Sequence, residues 1–215
     1  LFIIAVDRAL PASAGDGASQ HWHSSRLRAA QASLRPHVRA DWLWFDPPVP
    51  AARNARLADL IEAETSDVRW HSPEETARII ERMSDVNRAK VEQARLAGRR
   101  SVGAVYNRTR VEHGIKRQRS EVRFDDVAGC LRTPGGGSSR QTIMLVEAGC
   151  VRTRLISARE TARLMGLPDE YPLPSRYNDA YHLTGDGVAV PVVRYIAEHV
   201  LEPLLSARAG RELAA

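Results

Sequence analysis

The sequence predicts a mixed α/β chain with a basic, strand-rich middle, on three observations. Between residues 55 and 98 the apolar side chains fall at helical spacing. From Arg99 the pattern changes to short β-rich runs separated by basic and glycine-containing turns. After Ser157 helical spacing returns. A length of 215 residues leaves room for one large or two small domains.

Taken in order, Leu1–Val6 is a continuous apolar run and reads as a buried strand, which needs a sheet to join. Opening on Leu inside such a run is expected of a piece of a longer polypeptide. Asp7–Gln20, rich in Ala, Gly, Ser and Asp, reads as a loop or a disordered segment. Trp42-Leu-Trp-Phe45, closed by Asp46-Pro-Pro48, reads as an aromatic packing anchor with a proline stop. Leu57, Leu60 and Ile61 predict a helix over Ala55–Glu64. Ser72-Pro-Glu-Glu75 supplies a cap, a proline at the first helical position and a carboxylate three residues on, a helix start with Ile79, Ile80 and Met83 as its stripe. Ser84 or Asp85 opens the next helix, which runs to Gly98.

Ser101–Tyr106, Ser120–Phe124 and Thr142–Val146 predict strands, with basic turns and the loop Arg132–Gln141 between them. Glu147-Ala-Gly-Cys150 reads as a turn. Ser157-Ala-Arg-Glu160 is a second capping box, leading a helix that stops at Gly166 before Pro168. Val192, Ile196 and Val200 predict a last helix over Val188–Glu202, ended or kinked by Pro203, with Ser206–Ala215 a frayed tail.

Net charge is +5 and the pI about 9.7, a balance that favours a polyanionic partner. Between Arg88 and Arg140 stand thirteen bases and five acids, a net of +8, so the rest of the chain is acidic and the positive charge is concentrated. A solvated basic surface explains such a run equally well. No apolar run approaches the ~20 residues that span a bilayer. Cys130 and Cys150 are the only cysteines, with no Cys-x-x-Cys pair to suggest zinc, and two thiols without a signal peptide suit a reducing cytoplasm.

The loop sharpens the nucleic-acid reading. Gly135 and Gly136, with Gly137, let backbone approach another surface closely, while Thr133, Ser138, Ser139 and Gln141 carry short hydrogen-bonding side chains. Arg132 and Arg140 flank them, each able to grip a phosphate or a guanine in bidentate fashion. A plain hairpin connection is the alternative.

Leu155-Ile-Ser-Ala-Arg-Glu-Thr-Ala-Arg-Leu-Met-Gly-Leu-Pro-Asp-Glu-Tyr171, followed by Gly185-Asp-Gly-Val-Ala-Val-Pro-Val-Val193, resembles the two closing motifs of the DNA (cytosine-5) methyltransferases. The resemblance implies the C-terminal portion of a doubly wound, S-adenosylmethionine-dependent α/β fold carrying a mixed α+β target-recognition domain. On it, residues 1–7 are the last strand of the catalytic domain, 8–155 the target-recognition domain, 156–205 the closing helices and 206–215 a tail. The partners implied are double-stranded DNA and an N-terminal catalytic half, in the same polypeptide or as a separate subunit. The family's recognition region carries a Thr-Leu pair whose Thr touches the DNA backbone. Cys130-Leu131 stands at that position, and because a thiol is a weak donor, Thr133 or a backbone N–H is left to make the contact. Arg159 and Glu160 match the Arg-Glu pair that organises the two domains; Glu160 is also the capping-box acid. Arg159, disfavoured by the dipole of its own first turn, needs a carbonyl or carboxylate bridging the domains. Gly185, Asp186, Gly187 and Val188 match the start of the last motif, beside the cofactor S-adenosyl-L-methionine. Asp186 there meets the cofactor's ammonium or caps a helix starting at Val188, whose free N–H groups suit the cofactor's carboxylate.

The family's nucleophile comes in a Pro-Cys pair. Here Cys130 follows Gly129 and Cys150 follows Gly149, and neither a glycine-rich cofactor loop nor Glu-Asn-Val is present. The chain is therefore expected to be the recognition and closing part of such an enzyme, inactive alone. A non-catalytic subunit of a split methyltransferase and a stand-alone sequence-specific DNA-binding protein are the alternatives.

Overall fold

A computed structural model describes residues 2–7, 17–50, 55–112, 114–132 and 140–206. Contacts divide the chain into two units, one of residues 53–190 and one formed by 1–52 with 191–215. The boundaries drawn from the sequence at 7, 155 and 205 do not coincide with these units.

The unit of residues 53–190 is built on a four-stranded antiparallel sheet of order β2-β1-β3-β4, with β1 Ser101–Glu112, β2 Ile115–Arg123, β3 Thr142–Glu147 and β4 Cys150–Leu155. Helices cover both faces. On one, Val102, Ala104, Ile143 and Leu145 meet Leu57 and Ile61 from the turn of helix α3 (Leu57–Leu60), together with Ile156 and Tyr181. On the other, Val105, Val122, Met144 and Val146 meet Met83 and Val91, from the end of α4 (Pro73–Glu81) and from α5 (Asp85–Leu96). Burial on both faces explains why β3 is apolar without alternation.

Local chemistry sets most boundaries. The Ser72 and Ser157 capping boxes form as expected and open α4 and α6 (Ala158–Leu164). Gly98 and Gly166 take positive φ just past α5 and α6, and Leu167 N–H closes onto the Ala162 carbonyl. The strands differ from expectation: β1 and β2 run on through residues assigned to basic turns, and β4 was not anticipated. Ala148 and Gly149, at φ 47° and 75°, make the two-residue turn whose twist suits a hairpin, so Cys150 opens β4 rather than sitting in the turn. The helix expected over Ala55–Glu64 shrinks to α3, tethered by Asp126, whose carbonyl and carboxylate accept Leu57 N–H and Ala58 N–H.

Helix α7 (Tyr177–Asp186) was also not anticipated. Gly185 and Asp186 are its last residues and Gly187 its C-cap, so Asp186 does not cap a helix at Val188. The next helix, α8, starts at Val190 and runs to Ile196.

In the other unit, residues 2–7 form no strand. Phe2 and Ile3 are 54% and 85% exposed, because no ladder partner for them exists among the described residues. Two helices follow, α1 (Ser25–Ala32) and α2 (Pro36–Ala40). The aromatic segment makes ring contacts without being buried: Trp44 packs on Trp42 and His23, while Trp22 donates to the Pro47 carbonyl and faces Tyr195. Pro203 does not end the last helix. A π-helical turn over Ala197–Leu201 shifts the hydrogen bonding ahead of the proline, which lacks an N–H and crowds the preceding turn, and helix continues to Ser206. No helix among the described residues is long and apolar enough to cross a membrane.

Candidate nucleic-acid interface

The two ends of the glycine loop are fixed to the sheet by Gln141. Its side-chain amide donates to the carbonyls of Val105 and Thr142, and its Oε1 accepts Gly129 N–H at 3.2 Å. Its backbone N–H reaches the Tyr181 hydroxyl and its carbonyl accepts Ile156 N–H. Gln141 is 5% exposed. The expectation that Gln141 touches DNA is corrected on that ground: a buried amide with this set of partners is a strap, not a reading head. The strap brings Gly129 so close that a Cβ there would sit 2.2 Å from the Tyr106 ring and 2.3 Å from Gln141 Oε1.

Cys130 and Arg132 are exposed beyond this strap, and Leu131 packs beneath them against the core. Thr133, Gly135, Gly136, Ser138 and Ser139 lie outside the described residues. Arg140, on the returning side, is half-buried, lies over the Tyr177 ring at 5.7 Å and donates to Asn178 Oδ1. Its Nε is buried with no partner among the described residues. Arg132 and Arg140 thus stand in different environments, one open and one held against the first turn of α7.

The basic segment divides in the same way. Arg100 is spent on the Ala58 and Ile61 carbonyls, Arg95 on the Gly149 carbonyl and Lys90 on the Val122 carbonyl. Arg123 pairs with Asp125. Open arginines concentrate instead on the β1–β2 hairpin. Beside it, Tyr106, Arg108, Arg123, Gly129 and Cys130 line a polar cleft of about 400 Å³.

Behind the loop lies a buried ion pair. Arg154 on β4 and Glu160 on α6 are both 0% exposed and meet at 2.6 and 2.8 Å. Arg154 also donates to the carbonyls of Leu155 and Glu62, and Glu160 accepts Glu62 N–H and Ser157 N–H. Trp70 lies over the guanidinium at 4.9 Å. Burial alone pushes a carboxyl up, but the Arg154 guanidinium and the two backbone donors hold Glu160 below its ordinary value. This knot joins the sheet, the α3 segment and α6. Within this unit the partner of Glu160 is Arg154, which the sequence reading missed. Arg159 does find carbonyls, those of Pro168 and Tyr171, but they belong to the turn after α6 and bridge nothing further. Tyr177, whose hydroxyl donates to the Ile156 carbonyl and whose ionisation is raised by burial, was missed with its helix.

The expected cofactor segment does not provide an anion site at a helix start. Val190 N–H is spent on the Met165 carbonyl and Pro191 has no N–H, so the first two positions of α8 offer no free N–H to a carboxylate. Gly185 and Asp186 belong to the C-terminal end of α7, where the helix dipole is negative, and Val188 is 56% exposed.

Comparison with known proteins agrees with the family that the sequence resembles. The family model described as C-5 cytosine-specific DNA methylase matches residues 1–202. The chain is 41% identical over 61 residues to the type II methyltransferase M1.ScrFI of Lactococcus lactis subsp. cremoris, covering 28% of this chain and 16% of that protein. It is 39% identical over 70 residues to M.NlaX of Neisseria lactamica, covering 33% and 22%. To M.HhaI of Haemophilus parahaemolyticus it is 35% identical over 74 residues, covering 34% and 22%. The stretches matched thus span no more than 22% of these three relatives. No solved structure matches the chain. The match over residues 1–202 makes this chain a member of the C-5 cytosine-specific DNA methylase family.

Proposed function

We propose that this chain is the DNA-recognition and closing part of a DNA (cytosine-5) methyltransferase, the enzyme that transfers a methyl group from S-adenosylmethionine to C5 of cytosine in duplex DNA. One observation carries the reading. The family match spans residues 1–202, yet neither cysteine follows a proline, so the thiolate that adds to C6 comes from another part of the enzyme. Two features support this division of labour. The exposed entry to the glycine loop, Cys130 and Arg132, is tied to the sheet through Gly129 and Gln141 and flanked by basic side chains, as positioning a duplex requires. Phe2, Ile3, Val192, Val193 and Leu205 leave apolar surface open, which the catalytic half would cover as the opening segment and the last helix pack against it. That half also holds most of the methyl donor's site, to which this chain adds only a part.

The test is methyl transfer from radiolabelled S-adenosylmethionine to duplex DNA. The purified chain alone is expected to retain duplex weakly in a filter-binding assay and to transfer nothing. Adding a polypeptide that carries the Pro-Cys half is expected to produce transfer at cytosine. Transfer by the chain alone overturns the division of labour, and absence of any duplex binding overturns the recognition role.

A further inference from the structure

We propose that the β1–β2 ribbon is a DNA-contacting element in its own right, with Arg108, Arg110, Arg117 and Arg119 as the face that enters a duplex groove. This rests on the recognition role proposed above and adds a surface to it. β3 pairs with β1 only as far as Val105, so from Asn107–Ser120 outward the two strands project beyond the sheet for six residue pairs. At about 3.4 Å per residue the projection is roughly 20 Å long. A bare two-stranded ribbon is marginal in water, and this one exposes Val111 and Ile115 near its tip. Its base is held: Ser120 N–H donates to the Arg82 carbonyl, Arg82 donates to Gln118, and Ser120 to Asn107.

The register decides what the ribbon presents. Residues directly opposite share a face, so the pairs Arg108–Arg119 and Arg110–Arg117 put four guanidiniums together. Like charges opposite one another destabilise a ribbon. Two carboxylates on the same face offset them in part: Glu121 meets Arg110 at 2.5 Å and Arg108 at 3.6 Å, and Glu112 meets Arg119 at 2.5 Å and Arg117 at 4.0 Å. Four cations against two anions leave an excess that stability of the hairpin does not explain. Arg108, Arg110 and Arg117 remain more than half exposed. The same face runs on through Tyr106 and Arg123 to Gly129 and Cys130 along the polar cleft, so the arginines and the entry to the glycine loop border one surface. A two-stranded ribbon fits a major groove about 12 Å wide, and arginine forks suit phosphates and guanine edges. Duplex DNA is therefore the occupant, with Glu112 and Glu121 giving up their arginines to it.

The test is fluorescence anisotropy of the full chain with labelled duplex across a salt series. Arg110→Gln with Arg117→Gln is expected to weaken binding about tenfold or more near physiological salt and to flatten the log–log salt slope by about 2. Thr109→Ala, on the opposite face, is expected to change neither. Glu112→Gln with Glu121→Gln is expected to tighten binding, a gain that a misfolded ribbon cannot give. If the arginine variant keeps wild-type affinity and slope while Arg132→Ala weakens binding, the ribbon proposal fails and the recognition role stands. If the wild-type chain binds no duplex, both fail. Equal affinity for single strands, unchanged by the arginine variant, also overturns the ribbon.

Discussion

Replacing Glu160 with Gln removes one charge from the knot that joins the sheet to its closing helix and leaves the shape almost intact. Arg154 then remains buried with no counter-ion, since its other partners are the carbonyls of Leu155 and Glu62. Breaking a buried pair from one side costs about 3–5 kcal/mol, because the orphaned charge keeps its full desolvation penalty. The Gln amide also turns donors toward a guanidinium that can only donate. We expect a loss in that range in urea unfolding, with an unchanged m-value. Trp70, which stacks over Arg154, provides the fluorescence signal. Arg154→Met with Glu160→Leu is expected to recover part of the loss, since no charge is then stranded. Recovery stays incomplete because the Glu62 N–H and carbonyl and the Ser157 N–H lose partners worth about 1 kcal/mol each.

The pH dependence has a definite sign. The folded-state value of Glu160 lies below the ordinary 4.5, so ionised Glu160 contributes stability that is full above that value and is lost as the pH falls through the depressed folded value. Wild type should therefore lose more stability than Glu160→Gln on acidification below about 4.5. A Gln variant within 1 kcal/mol of wild type at neutral pH, with the same acid profile, would refute the assignment of the knot as the organising contact.

Three further outcomes follow from the same geometry. Gly129→Ala forces a Cβ against the Tyr106 ring and Gln141, and should cost about 1–3 kcal/mol in urea unfolding and weaken duplex binding. Gln141→Leu removes the strap while filling its space; it should lower stability by about 1–3 kcal/mol through the unpaired Val105 carbonyl and Gly129 N–H, and weaken duplex binding although residue 141 is buried. Arg159→Ala, which loses only two carbonyl contacts at an exposed turn, should stay within about 1 kcal/mol of wild type, against several for Glu160→Gln.

What could be read from the sequence was local. The serine–glutamate boxes at Ser72 and Ser157 and the glycine stops at Gly98 and Gly166 were legible because each motif satisfies its helix end with residues a few positions away. Helix α7 was not, since Tyr177, Ala180, Tyr181 and Thr184 mix aromatic and polar residues on the buried side and no side-chain cap announces the start. β4 was missed because Arg152 and Arg154 look alike in sequence, yet one is exposed and the other fully buried. Only the distant Glu62 and Glu160 make burial of Arg154 possible. Gln141 misled for a similar reason: an amide beside a glycine loop has the chemistry of a base contact, and only the strap to Gly129 and Val105 reveals its use. The resemblance named the family but gave no sign that Arg154, just ahead of the closing motif, holds the knot.

The distribution of the core leads to a last prediction. Both apolar clusters draw all their members from residues 57–181, within the unit of residues 53–190. The ion-pair knot lies there too, at residues 62, 154, 157 and 160. The other unit keeps Val200 and Leu204 buried but leaves Phe2, Ile3 and Leu205 more than half exposed. A segment comprising residues 53–190 should therefore unfold cooperatively on its own, with a urea midpoint close to that of the sheet-bearing part of the whole chain. The residues proposed to contact duplex lie in the same segment, so its affinity for DNA should survive the cut. Methyl transfer on addition of a catalytic half should not, because the chain that would dock there has been removed. Gradual unfolding of the segment would mean that residues 1–52 and 191–215 support the sheet. Retained transfer would mean that they are not what joins recognition to catalysis.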